Sequence, residues 1–342
     1  MMAEEKLTIR QIAALAGVSR STVSRVINDH PNVSPDTREQ VLQVVADTGF
    51  RPDPIARSLS SRRAGIIGLV IPLAIQSLFE DPFFARLMQG ISQGCNMHDY
   101  TLALFLLHSL EEEAKLYPRI SRRQLLDGVI VTATQDGDPL IPQLLANRVP
   151  FVLHGRHEDS RISFVDIDNV TGAYTAVTHL VRLGRRRIAL ITGPSGSLAA
   201  EDRKRGYLDA LLDRRVPVEE SLILHGDFTE TSSYQAMQRL LPHEPDAVFV
   251  ASDSMALGAL RALREAGKRV PDEVAVVGFD NMPQAATADP PLTTIRQPIQ
   301  QTGILAVEML IDILENGADP ARRIILPTEL VIRASCGSGL IG

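Results

Sequence analysis

Apolar residues recur at helical spacing three times within the first fifty positions, with no strand-like alternation between them. Thr8 followed by Gln11 has the form of a capping box, after which Ile9, Ile12, Ala13 and Ala16 share one face until Gly17 stops the helix. Ser19 begins a second helix whose apolar face is Val23, Val26 and Ile27. Ser34 and Pro35 begin a third, which is expected to bury Val41, Leu42, Val44 and Val45 and to end at Gly49. From residue 66 the period changes. Continuous apolar runs at GIIGLVIP, YTLALFLL, DGVIVTA and PFVLHG alternate with amphipathic stretches, and a second series follows at RIALITG, SLILHG, AVFVASD and VAVVGFD. Such runs read as buried parallel strands with helices on both sheet faces, and two series predict two α/β lobes.

The pattern therefore divides 342 residues into a small all-α head and a large α/β body. Charge divides the same way: residues 1–64 carry a net +2, whereas the rest carries −8, giving −6 overall. A basic head on an acidic body suits a modular binder of an anionic partner. Two cysteines, Cys95 and Cys336, are too few and too far apart for a disulfide framework or a CxxC site. An acidic N-terminus with no following apolar core, and no apolar stretch of spanning length, lead to the expectation of a cytoplasmic protein.

Two short helices joined by a glycine-containing turn, the second basic and polar on one side, match a helix-turn-helix that enters the DNA major groove. Arg20 and Arg25 have the reach and the paired donors to meet guanine edges or phosphates, while Ser21, Thr22 and Asn28 offer shorter contacts. The bland alternative is a three-helix bundle with a solvated basic face. RPDPIARSLSSRRAG comes next, with Asp53 and Pro54 as a cap and first turn, and Ile55 to Ser60 spans under two turns of helix. So short a helix orders only against a partner, for which a DNA minor groove and a second copy of itself are suited.

The sequence resembles the LacI/GalR (lactose-repressor) family of transcription regulators through LTIRQIAALAGVSRSTVSRVIN, TREQVLQVVADTGFRPDPIARSLSSRRAGIIGLVIP and LPTELVIR, a match that runs over almost the whole chain. The resemblance implies a helix-turn-helix domain at 1–50, a hinge helix and linker at 51–64, and a two-lobed, periplasmic-binding-protein-like effector and dimerisation domain at 65–342. Lobe 1 is expected at about 65–167 and 296–325, and lobe 2 at about 168–295 and 326–336. It further implies a homodimer on a palindromic operator. Thr8, Ser19, Arg20, Ser21, Thr22, Arg25 and Asn28 then fall in the DNA-reading unit, Leu59 on the leucine wedged between base steps, and Ala56 where the hinge helices pack.

In open α/β sheets ligands bind beyond the carboxyl ends of strands, so the cleft between lobes is the expected effector site. The family pattern places Arg203 and Gly206 in R-x-x-G, and Asp280 with Gly278 and Phe279 in G-F-D. An Arg and an Asp facing one cleft can grip a polyhydroxylated ligand, the guanidinium donating and the carboxylate accepting. Phe228 falls on a bulky pocket position, Phe83 and Phe84 on an aromatic pair of which one can be core, and Gln297 near the crossover between lobes. Asp168 and Asn169 match a D-N pair that positions a lobe-2 helix, and Asp253 reads as the cap of the helix after AVFVAS.

Two departures stand out. Ser252 replaces an Asn common in sugar-responsive relatives, and Gly155 with Arg156 replaces an acidic residue after PFVLH. Arg156 is expected either to meet an acidic or phosphorylated ligand or to pair with Glu158 or Asp159 at the surface. The expected activity is that of a repressor of carbohydrate-utilisation genes, released from DNA by a sugar or sugar derivative. Corepression, activation and a solute-receptor role are the alternatives. His154, His157, Glu158 and Asp159 have weak spacing for a metal, GPSGSLAAEDR lacks a phosphate-loop pattern, and no catalytic residues, metal or cofactor are expected. The dimer interface is assigned to helix 83–98, with Leu87, Met88 and Ile91 on one face that serves equally as lobe core; the Gly- and Ser-rich end LVIRASCGSGLIG shows no heptads for a tetramer.

Overall fold

The computed structural model describes residues 7–27, 31–50, 64–71, 81–106, 110–120, 125–132 and 138–338. The chain forms two compact units, 1–64 and 65–342.

In the first unit, α1 (Ile9–Leu15), α2 (Arg20–Ile27) and α3 (Pro35–Thr48) enclose a small core of Ile12, Ala13, Ala16, Val23, Val26 and Val41. Each helix begins where a side-chain oxygen replaces a missing backbone partner. Thr8 and Gln11 close a reciprocal capping box, Ser19 Oγ accepts from the Thr22 amide at 3.1 Å, and Ser34 caps α3, which ends on Gly49 at a φ of 61°. Leu42 departs from its expected burial: it is 49% exposed, because only Val41 on α3 points fully at the other two helices and Val44 and Val45 sit at the rim.

The second unit contains two six-stranded sheets. The first is built from β1 (Ile66–Ile71), β2 (Thr101–Leu106), β3 (Gly128–Thr132), β4 (Phe151–His154), β5 (Phe164–Ile167) and β11 (Arg323–Leu326), all parallel in the order β11-β5-β4-β3-β1-β2. The second holds β6 (Ile188–Thr192), β7 (Ile223–His225), β8 (Ala247–Val250), β9 (Ala275–Asp280), β10 (Thr293–Arg296) and β12 (Glu329–Val331) in the order β12-β10-β9-β8-β6-β7, with only β12 antiparallel. Helices α4 (Pro82–Met97), α5 (Leu110–Ile120), α6 (Leu140–Ala146) and α12 (Ile299–Asn316) accompany the first sheet. The second sheet is accompanied by α7 (Asn169–Arg182), α8 (Leu198–Asp213), α9 (Glu230–Leu240), α10 (Asp253–Glu265) and α11 (Pro283–Thr287).

The chain thus crosses between lobes after β5, after β10 and after β11. β5, β10, β11 and β12 are absent from the apolar runs because each places a charged residue, Asp166, Arg296, Arg323 or Glu329, within only three or four positions. α4 and α12 approach closely through Gly90, where a Cβ atom would overlap the carbonyl of Gln300. Leu87 and Ile91 are fully buried against α12 and the first sheet, so they belong to the lobe core and not to an outer face of α4.

Candidate functional site

On α2, the residues that do not pack inward are Arg20, Ser21 and Arg25, all exposed, with Thr22 half-buried. Ser19 Oγ also lies 2.7 Å from Ser21 Oγ and 2.8 Å from Thr22 Oγ1, so the start of the helix carries a fixed hydroxyl cluster. Asn28, Ala56, Leu59 and the rest of 51–63 lie outside the described residues.

Between the lobes lies a cavity of about 680 Å³. Its polar floor comes from strand ends and helix starts, where the topology makes backbone and side chains converge. Arg203 on α8 is 6% exposed. Its Nε donates to Asn169 Oδ1 at 2.9 Å, its Nη1 donates to the Ala251 carbonyl at 2.5 Å and lies 3.6 Å from Asp280 Oδ1, and its guanidinium covers the Phe279 ring at 3.8 Å. Gln297 Nε2 donates to Asp280 Oδ1 at 2.5 Å. Burial disfavours both charges: it lowers the Arg203 pKa and raises that of Asp280, while each ion partly restores the other. Asp280 ends β9 with a φ of 112°, a conformation held by these contacts.

Phe83 and Phe228 line the apolar part of the cavity. Phe83 stands edge-on to Phe84 at 5.2 Å and 5.9 Å from the His154 ring. Phe84 is 7% exposed and packs mainly into the first-lobe core, reaching the cavity with one edge. Phe228 takes a φ of 68° and its ring lies flat on Gly193, where any side chain would collide with it.

Two expectations change, and a third holds. Arg156 does not pair with Glu158 or Asp159: its Nε and Nη2 reach Asp202 Oδ2 and Oδ1 at 2.5 and 2.7 Å, a two-pronged ion pair from the loop after β4 across to α8, while Asp159 is taken by Arg161. Asp253 is not the cap of α10. Ser252 is, accepting from the Met255 amide at 3.2 Å, whereas Asp253 accepts from the Met282 amide at 2.7 Å and from Thr294 Oγ1 at 2.6 Å, tying β8 to β9 and β10. Ser252 therefore reaches the cavity with its hydroxyl already engaged. Asp168 does cap α7, through the Thr171 amide at 2.9 Å, and leaves its neighbour Asn169 to hold Arg203.

Asn169, Asp81, Asp166 and His154 also face the cavity without having been singled out as ligand contacts. Asp81 caps α4 through the Phe83 amide at 3.0 Å, a role its Asp-Pro spelling could have signalled, and accepts from Ser254 Oγ of the other lobe at 3.4 Å. Asp166 accepts from the Arg156 amide at 3.0 Å, and burial raises its pKa to about 6. His154 is half-buried between Thr132 and Thr302, and loss of water around the ring lowers its pKa to about 4 and keeps it neutral. Its nitrogens face these hydroxyls, and His157 Nδ1 accepts from the Asp159 amide. Among the described residues no group of three or more His, Cys, Asp or Glu is placed to hold a metal ion, and no helix is long and apolar enough to cross a membrane.

Comparison with known proteins decides the family. Residues 8–53 match the model of bacterial regulatory proteins of the lacI family, and residues 177–336 match a periplasmic binding protein-like domain. The HTH-type transcriptional regulator CelR of Thermobifida fusca is 40% identical over 334 residues, 96% of this chain and 98% of the relative. The chain belongs to the LacI family. A solved CelR–cellobiose complex superposes with a TM-score of 0.77 at 38% identity, covering 96% of this chain and 99% of that one. The lac repressor dimer bound to operator and the anti-inducer ONPF gives 0.83 at 28% identity, covering 97% and 99%. As a LacI-family member the protein is a DNA-binding, effector-responsive transcriptional regulator.

Proposed function

We propose that this regulator is a homodimer that represses carbohydrate-utilisation genes in the cytoplasm and leaves a palindromic operator when a sugar occupies the cleft. The observation that carries the effector reading is the buried Arg203–Asp280–Gln297–Asn169 cluster on the floor of a 680 Å³ cavity whose wall includes Phe83 and Phe228. Donors and acceptors fixed at the base with rings at the side match a pyranose, which has hydroxyls around its rim and C–H faces above and below. The cellobiose held by CelR supports the same class of ligand. Phe84, Arg156 and Ser252 complete the wall.

Residues 1–50 form the reader, 51–64 the hinge and 65–342 the sensor in this reading. Thr8, Ser19, Arg20, Ser21, Thr22, Arg25 and Asn28 face the operator, and Ala56 and Leu59 act in the hinge. The effector binds one lobe arrangement better than the other, and that difference sets operator affinity, with coupling of about 1–3 kcal/mol. The protein performs no catalytic step on its ligand.

The test is operator binding by gel shift with and without sugar. Arg203→Ala and Asp280→Ala should each abolish the sugar response while leaving sugar-free operator binding intact; a wild-type response in both overturns the site. Arg20→Ala should relax discrimination at one base pair of each half-site by about 1–3 kcal/mol. An equal loss on all sequences makes Arg20 a phosphate contact.

A further inference from the structure

Among the described residues, the three guanidinium groups that line the cavity are Arg156, Arg203 and Arg261, and each is already committed to a carboxylate of the protein. Arg156 is forked onto Asp202, Arg203 lies against Asp280, and Arg261 donates to Glu230 at 2.9 Å while stacking over Tyr234 at 4.4 Å. Four further carboxylates, Asp81, Asp166, Asp227 and Asp253, line the same cavity with only amides, hydroxyls or a side-chain amide as hydrogen-bond partners among the described residues. The other basic side chain among the described residues of the wall, His154, has its pKa lowered to about 4 by loss of water and is neutral.

From this we infer that the effector is uncharged: a neutral polyhydroxyl compound, excluding sugar phosphates, uronates and aldonates. The inference rests on the sugar reading above and narrows it. Hydroxyl groups can donate to the four carboxylates and accept from guanidinium N–H groups without separating any ion pair. An anion must either break one of the three Arg–carboxylate pairs, stranding a carboxylate, or sit among like charges with no counter-ion. The cost is large at Arg203–Asp280 and Arg156–Asp202, whose carboxylate side chains are 4% and 9% exposed, and smaller at Arg261–Glu230, where both side chains are at least 40% exposed. The arginine that the sequence left free to meet a phosphate, Arg156, is the one most firmly occupied, by two short hydrogen bonds.

The experiment is calorimetric titration of the full-length protein with matched pairs: cellobiose against cellobionate, and glucose against glucuronate and glucose 6-phosphate. A neutral sugar should bind, and its charged counterpart should bind on the order of a hundredfold more weakly. In Asp81→Asn, where Asn keeps the helix cap, that gap should narrow severalfold. Equal or tighter binding of a charged member overturns the inference and leaves the sugar-sensor reading standing. Binding by none of these carbohydrates, neutral or charged, overturns both. A gap unchanged in both Asp81→Asn and Asp166→Asn also overturns the inference, since the carboxylates then do not set the discrimination.

Discussion

Arg156 and Asp202 belong to different lobes, so their ion pair exists only while the lobes are in the arrangement described here. Breaking it perturbs lobe closure without touching the Arg203 cluster. The Arg156 side chain is 31% exposed and that of Asp202 9%, which places the pair between a surface bridge and a buried one. Two opposite charges about 4 Å apart attract by about 4 kcal/mol at an effective dielectric of 20. Desolvation and the immobilisation of Arg156 offset part of that, leaving about 1–2 kcal/mol, between the values for exposed and for charged buried hydrogen bonds. Arg156→Gln and Asp202→Asn should each weaken effector binding by about 5- to 30-fold. The Arg156 amide still donates to Asp166 in the glutamine variant, so the loop keeps its anchor. Titration of both variants and of the double variant forms a thermodynamic cycle, and the double loss should be close to the larger single loss. Strictly additive losses, or affinity unchanged in both single variants, would show that the bridge does not hold the cleft shut.

Other expectations follow from particular contacts. Ile12 is fully buried in a core of only a few side chains, so Ile12→Ala, costing about 2–5 kcal/mol, should unfold the reader and abolish operator binding while sugar titration remains intact. Loss of both would contradict the division into two units. At Gly206 a Cβ would overlap the Val170 carbonyl and sit 2.9 Å from Ala173 Cβ, so Gly206→Ala should force α7 from α8 and lower stability by about 1–3 kcal/mol in denaturant unfolding. The folded state lowers the His154 pKa from 6.5 to about 4, so between those values the unfolded chain binds the extra proton and stability falls as pH drops. The loss approaches about 3 kcal/mol near pH 4. Asp166, raised to about 6 by burial, works in the opposite sense, adding stability as pH falls through that value. The diagnostic is therefore the wild type minus His154→Gln difference, which should shrink steadily from pH 7 to pH 4.5. A constant difference refutes the neutral, desolvated imidazole.

The reader and the α/β character of the body were legible in the sequence because their causes are local. A cap, an apolar period of 3.6 and a glycine after the last turn act over a few residues, and α1, α2 and α3 begin and end where Thr8, Ser19, Ser34 and Gly49 place them. Continuous apolar runs marked eight strands for the same reason; a strand buried on both faces, as β1, β3, β6, β8 and β9 essentially are, has no polar side to show, and the edge strands β2 and β7 are apolar in sequence without being buried throughout. Arg203 and Asp280 were named through their motifs and Gln297 through its place near the lobe crossover, and they do meet, but the contacts between them are not written in any spacing. Partner choice for a charged side chain depends on which groups tertiary packing brings within reach and removes from water. Sequence proximity proposed Glu158 or Asp159 for Arg156; the fold supplied Asp202, 46 positions away, because closing the lobes sets the start of α8 opposite the end of β4. The strands β5 and β10–β12 and the exchange of capping between Ser252 and Asp253 were likewise decided by packing, since three or four residues that include a charged side chain carry too little apolar pattern to outweigh what surrounds them.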